Sequence, residues 1–433
     1  MAAPIEVLVS SDASGQLWNA CVWDLETGSS LTTYKGGSTS PRTLSILGQD
    51  YLMGANPTKP LLNVWSLQKR NQSQMRIVCP GRVTSLDVSP DGSYCVAGIA
   101  DKIHVWQVCN GNLLAVVSRH YQNINCIKFT DDGSHFVSGG EDNLVIAWSL
   151  VRLVSISPYT QNRPEPRHVW SGHSLPVTDL HVGCGGSRAR VISSSRDNTC
   201  KLWDLCSGEL LCTLVFDSCI TAVAMDNMEL RVFAGDSNGN IHSVAMFTQP
   251  VKTERHISTD TKSHEGVTMF KGHLKQVTCL SVSMDGTRLV SGSHDASVRI
   301  WDVFSGQCVR TLAHKDVITN VFLTQTPRGV ALPDSRPQLP LQHFKRHLVS
   351  TQADDTVSDK SQVFDVWLHE THQLNQYTAN PASDEMKKSS SHDDHTQAKL
   401  EEEVVRLQGD LDRLQGTNQD LYQYAVHNIL NTK

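Results

Sequence analysis

The sequence predicts an all-β fold, a seven-bladed β-propeller closed on itself, followed by a C-terminal coiled-coil α-helix. Three observations carry that expectation. Residues 271–303 read KGHLKQVTCLSVSMDGTRLVSGSHDASVRIWDV, opening on Gly-His and closing on Trp-Asp. Between these pairs, apolar and polar residues alternate across turns at Asp285-Gly286 and Asp295, the mark of short antiparallel strands. The pattern also recurs. Its last inner residue falls at Trp23, Trp65, Trp106, Trp148, Trp203, Val244 and Trp301, at spacings of 42, 41, 42, 55, 41 and 57 residues. A four-stranded blade needs about 40–45. The third observation is an apolar heptad seam near the C-terminus.

Taken in order, the first repeat starts late. Strand-like runs stand at 5–9, 20–25 and 30–34, and the innermost strand is missing. An open ring would leave unpaired edges. The run at 317–323, after the last Trp-Asp, is the candidate to close the first blade, so the propeller is expected to span residues 1–325. The two long spacings hold polar insertions at 155–167 and 249–266. Both are expected to be surface loops, where extra length costs little.

Three repeats keep a full polar set: His120, Asp142 and Trp148; His173, Asp197 and Trp203; His273, Asp295 and Trp301. The expected role is structural. A buried Asp accepts from the His and pins one turn to the next strand, which stabilises only when every member is satisfied. A catalytic His-Asp pair is the rival reading, and the recurrence of the pair in several repeats speaks against it. The repeat ending at Trp106 keeps Asp101 but has Pro80-Gly81 in place of Gly-His, and the one ending at Val244 has lost both Trp and His.

Residues 326–377 are expected to form a loop and an accessory strand pair packed on the propeller. The stretch 327–343 carries four prolines, and the strand pair is expected at 347–354 and 362–368. The same pair could instead build an irregular eighth blade. Residues 378–395 are polar and read as a flexible linker, with three serines at 389–391 open to phosphorylation. From 396 to 430 the period is helical. Leu400, Val404, Leu407, Leu411, Leu414, Asn418, Leu421 and Ala425 follow a 4, 3, 4, 3 spacing, which is a coiled-coil seam. A lone Asn on such a seam sets register and partner number. Gly409 and Gly416 weaken an isolated helix by roughly 1 kcal/mol each, so the helix is expected to need a partner. A second copy, another protein's helix and the propeller itself are all open.

Composition narrows the function. The 433 residues carry a net charge of −6, which argues against a non-specific grip on a nucleic-acid backbone. The twelve cysteines show no C-x-x-C pair or zinc spacing and read as small buried residues. The N-terminal segment lacks signal-peptide character, and no run reaches the length of a membrane span. An intracellular, reduced protein is expected. No phosphate loop, nucleophile elbow or metalloprotease helix is present, so no catalytic residue, cofactor or metal is expected. The enzyme reading stays as the weakest alternative.

The Gly-His to Trp-Asp repeat resembles the WD-repeat propeller family. The continuations Trp23-Asp24-Leu25-Glu26, Trp203-Asp204-Leu205-Cys206 and Trp301-Asp302-Val303-Phe304 lack the W-D-x-R of ubiquitin-ligase receptors. Phe344-Lys345-Arg346-His347 does not match the F-R-R-G of phosphoinositide binders. Other stretches, MAAPIEVLVSSD, SRHYQNINCIKFT and PRHVWSGHSLPVTDLHVGCGG, together with the heptad segment, resemble a branch of that family formed of ribosome-assembly subunits. The resemblance implies a non-enzymatic subunit of a nuclear complex that acts in pre-rRNA processing and in maturation and nucleoplasmic transit of the large ribosomal subunit. The implied partners are a proline-, glutamic acid- and leucine-rich helical-repeat scaffold, a testis-expressed HEAT-type subunit, a Las1-like endonuclease, a SUMO protease and the pre-ribosomal large subunit. The implied location is nucleolus and nucleoplasm, with a cytoplasmic pool. The alternative function is a cytoplasmic adaptor for axonemal dynein-arm preassembly or developmental signalling.

Overall fold

Each repeat folds where its alternation says it should, because a strand with one face buried tolerates no slip in register. A computed structural model describes residues 5–15, 19–68, 74–155, 165–247, 253–258, 266–332, 337 and 339–348. Among these, the strands form seven separate sheets. Blade 1 is Ile318–Gln325, Glu6–Asp12, Ala20–Asp24 and Ser30–Tyr34, from the innermost strand outward. Blade 2 begins at Ser45–Leu47, blade 3 at Val83–Val88, blade 4 at Ile124–Phe129, blade 5 at Val177–Val182, blade 6 at Ile220–Met225 and blade 7 at Val277–Val282.

The ring closes through blade 1. Glu6–Asp12 pairs antiparallel with Ile318–Gln325, with Leu8 opposite Leu323. Both ends of the propeller therefore share one sheet, and Glu6–Asp12 is paired on both sides instead of presenting an open edge.

The inner strands of blades 3 to 7 share a device that the alternation did not announce. Each shifts register two residues in, for example between Val83 and Ser85, Ile124 and Cys126, and Val177 and Asp179. Such a bulge frees one residue from the ladder and re-aims it. In blades 3 to 6 that residue reaches the first carbonyl of the next blade. Thr84 Oγ1 donates to Ile124 O (2.6 Å), Asn125 Nδ2 to Val177 O (2.9 Å) and Thr178 Oγ1 to Ile220 O (2.8 Å). The inner strands therefore start side by side and run in the same direction. All their leading turns lie at one end of the ring.

Two expectations need correction. The insertion at 249–266 is not only a loop. Glu254–Ile257 runs parallel beside Leu210–Phe216 and makes blade 5 five-stranded. Arg255 Nη1 donates to Ala245 O at 2.7 Å, and Ile257 is buried in the core between blades 5 and 6. The proline-containing stretch after 326 is also more than a loop. It forms the short helix Arg328–Ala331 and inserts Val330, Leu339 and Phe344 into the cores of blades 1 to 3. Prolines limit the chain's conformations, and three apolar residues then have enough buried area to hold it down. The expected strand pair lies outside the described residues, except that Leu348 bridges to Leu113. The linker and the heptad segment lie outside them as well, as does most of the insertion at 155–167.

Candidate functional site

The histidines, aspartates and tryptophans singled out in blades 4, 5 and 7 are brought together by the fold, three sets in three blades. In blade 4, His120 Nδ1 lies 3.0 Å from Asp142 Oδ2 and His120 Nε2 lies 2.8 Å from Ser138 Oγ. Trp148 Nε1 donates to the same serine at 3.0 Å. In blade 5, His173 meets Asp197 at 3.0 Å and Ser193 at 2.7 Å, with Trp203 at 2.9 Å from the serine. In blade 7, His273 meets Asp295 at 2.9 Å and Ser291 at 2.7 Å, with Trp301 at 2.8 Å from the serine.

Proton placement follows from the donor inventory. The aspartates are held ionised. Burial alone raises the Asp295 carboxyl, but hydrogen bonds from Ser297, His273 and the Leu274 amide overcome it and bring it to about 2. Asp142 and Asp197 shift down for the same reasons. The proton of each imidazole therefore sits on Nδ1, and Nε2 accepts from the serine hydroxyl. The indole N–H then takes the remaining lone pair on that oxygen. Every polar atom of the set is satisfied.

Serine, histidine and aspartate in this order are also the connectivity of an acyl-transfer triad. Accessibility decides between the two uses. Ser138, Ser193 and Ser291 are each 0% exposed, so no carbonyl carbon can reach their oxygens. The sets act as internal rivets. They also shape the surface, because the aspartates accept from the backbone amides of Tyr121, Ser174 and Leu274 and so fix the leading turns.

The serines were absent from the sequence reading, although the signal was present: each stands four residues before its aspartate, at 138 and 142, 193 and 197, and 291 and 295. A fourth set was also missed. His314 Nε2 lies 2.9 Å from Ser10 Oγ, and Trp23 Nε1 donates to Ser10 at 2.8 Å. His314 comes from one end of the propeller and the other two residues come from the opposite end. Ser14 stands in place of the aspartate, four residues after Ser10.

Blades 3 and 6 depart from the pattern, as the sequence implies. With Ala97 opposite Leu86 where blade 4 has Ser138, the Trp106 indole turns instead to Lys345 O at 2.8 Å and stacks on Phe344 at 5.3 Å. In blade 6, Asp236 accepts from Ser218 and from the Asn238 and Asn240 amides.

One ion pair crosses the ring. Arg42, just before blade 2, places Nε 3.1 Å from Asp179 Oδ1 on blade 5 and Nη2 2.8 Å from Thr221 O on blade 6. Burial opposes the charge on Arg42, but Asp179 outweighs it and raises the guanidinium above its ordinary value. Asp179 also accepts from the Val223 amide at 3.1 Å.

The leading-turn end of the ring carries charge of both signs. Lys35, Arg82, Arg119, Arg196, Lys271 and Lys275 are exposed there, as is Asp217, whereas Asp142, Asp197, Asp236 and Asp295 are engaged in internal contacts. Among the described residues no group of three His, Cys, Asp or Glu side chains is placed to hold a metal ion, and no helix is long and apolar enough to cross a membrane.

Comparison with known proteins agrees with this geometry. The family model for the WD domain, G-beta repeat, matches residues 73–107, 111–149, 164–204 and 265–302, each ending on the third strand of its blade, in blades 3, 4, 5 and 7. Human WD repeat-containing protein 18 is 43% identical over 432 residues, 99% of each chain. Its Danio rerio counterpart is 49% identical over 357 residues, 82% of each chain. Pre-rRNA-processing protein pro-1 of Caenorhabditis elegans is 26% identical over 73% of this chain and 61% of that protein. Among solved structures, the WD40 β-propeller domain of Doa1 superposes with a TM-score of 0.52 at 16% identity, over 66% of this chain and 86% of that one. It speaks for the fold alone.

Proposed function

The chain belongs to the WD repeat-containing protein 18 family, and on that premise we propose that it is a non-enzymatic scaffold subunit of a nuclear complex for pre-rRNA processing and large-ribosomal-subunit maturation. The observation that carries the scaffold reading is the sealing of the Ser-His-Asp sets. The groups with catalytic connectivity are buried, while the turns they fix are exposed. The pathway rests on the pre-rRNA-processing name of the pro-1 relative. Propellers host many functions, so the fold adds nothing to that choice.

In this reading the propeller holds the proline-, glutamic acid- and leucine-rich helical-repeat scaffold. The HEAT-type subunit, the Las1-like endonuclease, the SUMO protease and the pre-ribosomal large subunit are assembled with it. The segment 396–430 pairs with a second copy through Leu400, Val404, Leu407, Leu411, Leu414, Asn418, Leu421 and Ala425. Two linked contacts raise effective concentration, so losing either weakens assembly more than its own area suggests. The site of action is the nucleolus and nucleoplasm.

Depletion followed by rescue tests the proposal, with pre-rRNA intermediates read by northern blot. Full-length chain should restore them. A chain lacking 378–433 should fold but restore them only in part, and full restoration would remove the heptad segment from the mechanism. Normal large-subunit rRNA after complete depletion would overturn the ribosomal reading in favour of a cytoplasmic adaptor.

A further inference from the structure

We propose that the trailing turns of blades 6 and 7, at the end of the ring opposite the fixed leading turns, dock an amphipathic helix with lysine or arginine flanks borne by another protein. The repeat supplies its own control. Three residues past the last inner position, blade 1 has Glu26, blade 2 Gln68, and blades 3 and 5 have Cys109 and Cys206. In blade 4 that position is Val151, an aliphatic side chain 69% exposed on a helical turn. Blades 6 and 7 place Phe247 and Phe304 there, 61% and 73% exposed. The turn after the inner strand behaves alike. Blades 3 and 4 use Pro90-Asp91 and Asp131-Asp132, where blades 6 and 7 have Asn227-Met228 and Met284-Asp285. Met228 and Met284 are 77% and 53% exposed.

These side chains belong to one connected surface. Asn227 Nδ2 donates to Met284 O at 3.0 Å, joining the two first turns. The Met246 amide donates to Leu230 O at 2.8 Å, joining the turn of Phe247 to that of Met228. The Arg231 guanidinium lies 5.9 Å from the centre of the Phe304 ring, joining blade 6 to blade 7. A turn needs no aromatic or thioether side chain, and a contiguous apolar patch on a soluble surface marks an interaction site. Methionine suits a helix-binding surface because its unbranched side chain adapts to varied shapes.

Charge selects the occupant. Glu6, Asp226, Asp285 and Asp302 rim the patch. These four carboxylates outnumber the two guanidiniums beside the patch, Arg231 over Phe304 and Arg288 with Asp302 at 3.4 Å, so the rim keeps a negative balance. A second copy would set acidic rim against acidic rim. The chain's own segment 396–430 holds Lys399, Arg406 and Arg413 against Glu401, Glu402, Glu403, Asp410, Asp412 and Asp420, a balance of 3 − 6 = −3, so it carries the wrong sign too. A basic amphipathic helix from a different chain satisfies both the apolar patch and its rim.

The inference holds whichever assembly the propeller serves. Its test uses the purified full chain and two labelled helical peptides of about 18 residues, with Leu and Phe at i, i+3, i+4 and i+7. One peptide carries Lys elsewhere, the other Glu. Fluorescence anisotropy should show the Lys peptide binding at least about tenfold tighter than the Glu peptide. Phe247→Ser with Phe304→Ser should abolish that binding, whereas Tyr121→Ser with Leu274→Ser at the other end should leave it unchanged. Met228→Lys, a change at an exposed position, should weaken the Lys peptide and favour the Glu peptide even if the phenylalanine pair loses stability. Equal binding of both peptides, equal loss in the two double variants, or self-association of the full chain that Phe304→Ser disrupts would each overturn the proposal. The assay contains no pre-ribosomal component, so its failure leaves the pre-rRNA reading standing.

Discussion

Arg42 and Asp179 meet at 3.1 Å although 137 residues separate them. Arg42 stands before blade 2 and Asp179 within blade 5, so the pair ties opposite sides of the ring, and the hydrogen bond from Arg42 to Thr221 O brings in blade 6.

Arg42→Ala should destabilise the propeller by about 1–3 kcal/mol, because Asp179 loses its cation while remaining largely covered. Asp179→Ala should cost a similar amount, and the double variant should cost less than the sum. Urea unfolding of the four proteins closes the cycle. Strict additivity would mean that the pair contributes nothing of its own.

Asp295→Ala should lower stability by about 1–3 kcal/mol by stranding His273 Nδ1, the Leu274 amide and Ser297. Thermal unfolding is the measurement. An unchanged midpoint would show that the set is not formed in solution.

The fourth set predicts a cost at ring closure. Ser10→Ala should remove the hydroxyl that His314 Nε2 and the Trp23 indole share, for about 1–3 kcal/mol, and His314→Ala combined with it should cost less than the sum of the two. A chain ending at Asp316 should aggregate, since Glu6–Asp12 would face solvent as an open edge. One ending at Leu348 should keep a cooperative transition by circular dichroism.

Acid should weaken the fold in two stages. His273 and His314 are shifted down, chiefly by burial, and His181, half-buried on blade 5 near Lys128, falls to about 4. The unfolded chain takes up these protons near pH 6.5, so stability is full above about pH 6.5 and drops as pH falls toward the folded values. The depressed carboxyls of Asp142, Asp197 and Asp295 act lower. Their contribution is complete above about pH 4 and is lost as pH falls through the folded value, about 2 for Asp295. Urea midpoints at about pH 7, 5 and 3 should fall at both steps. His181→Gln should shrink only the first.

Asn143, Asn198 and Ala296 follow the three set aspartates, all with positive φ. Asparagine visits that region readily and alanine does not. Ala296→Asn should therefore raise stability by about 1 kcal/mol or less. A fall in the thermal midpoint would contradict this.

The sequence by itself determined the ring. A 41-residue period, alternation of two and Asp/Gly turns are local patterns, and local patterns survive in one dimension. They sufficed to place the seven blades, the His120, His173 and His273 sets and the strand that closes blade 1. The heptad seam is equally legible as a pattern, but it lies outside the described residues. Only tertiary structure decided which serine receives each indole, that His314 completes Ser10 and Trp23, that Arg42 spans the ring to Asp179, and that Glu254–Ile257 extends blade 5. The reason is physical. These contacts join residues tens to hundreds of positions apart, and their partners are selected by unpaired donors, bulges and buried area that exist only once the blades have packed side by side.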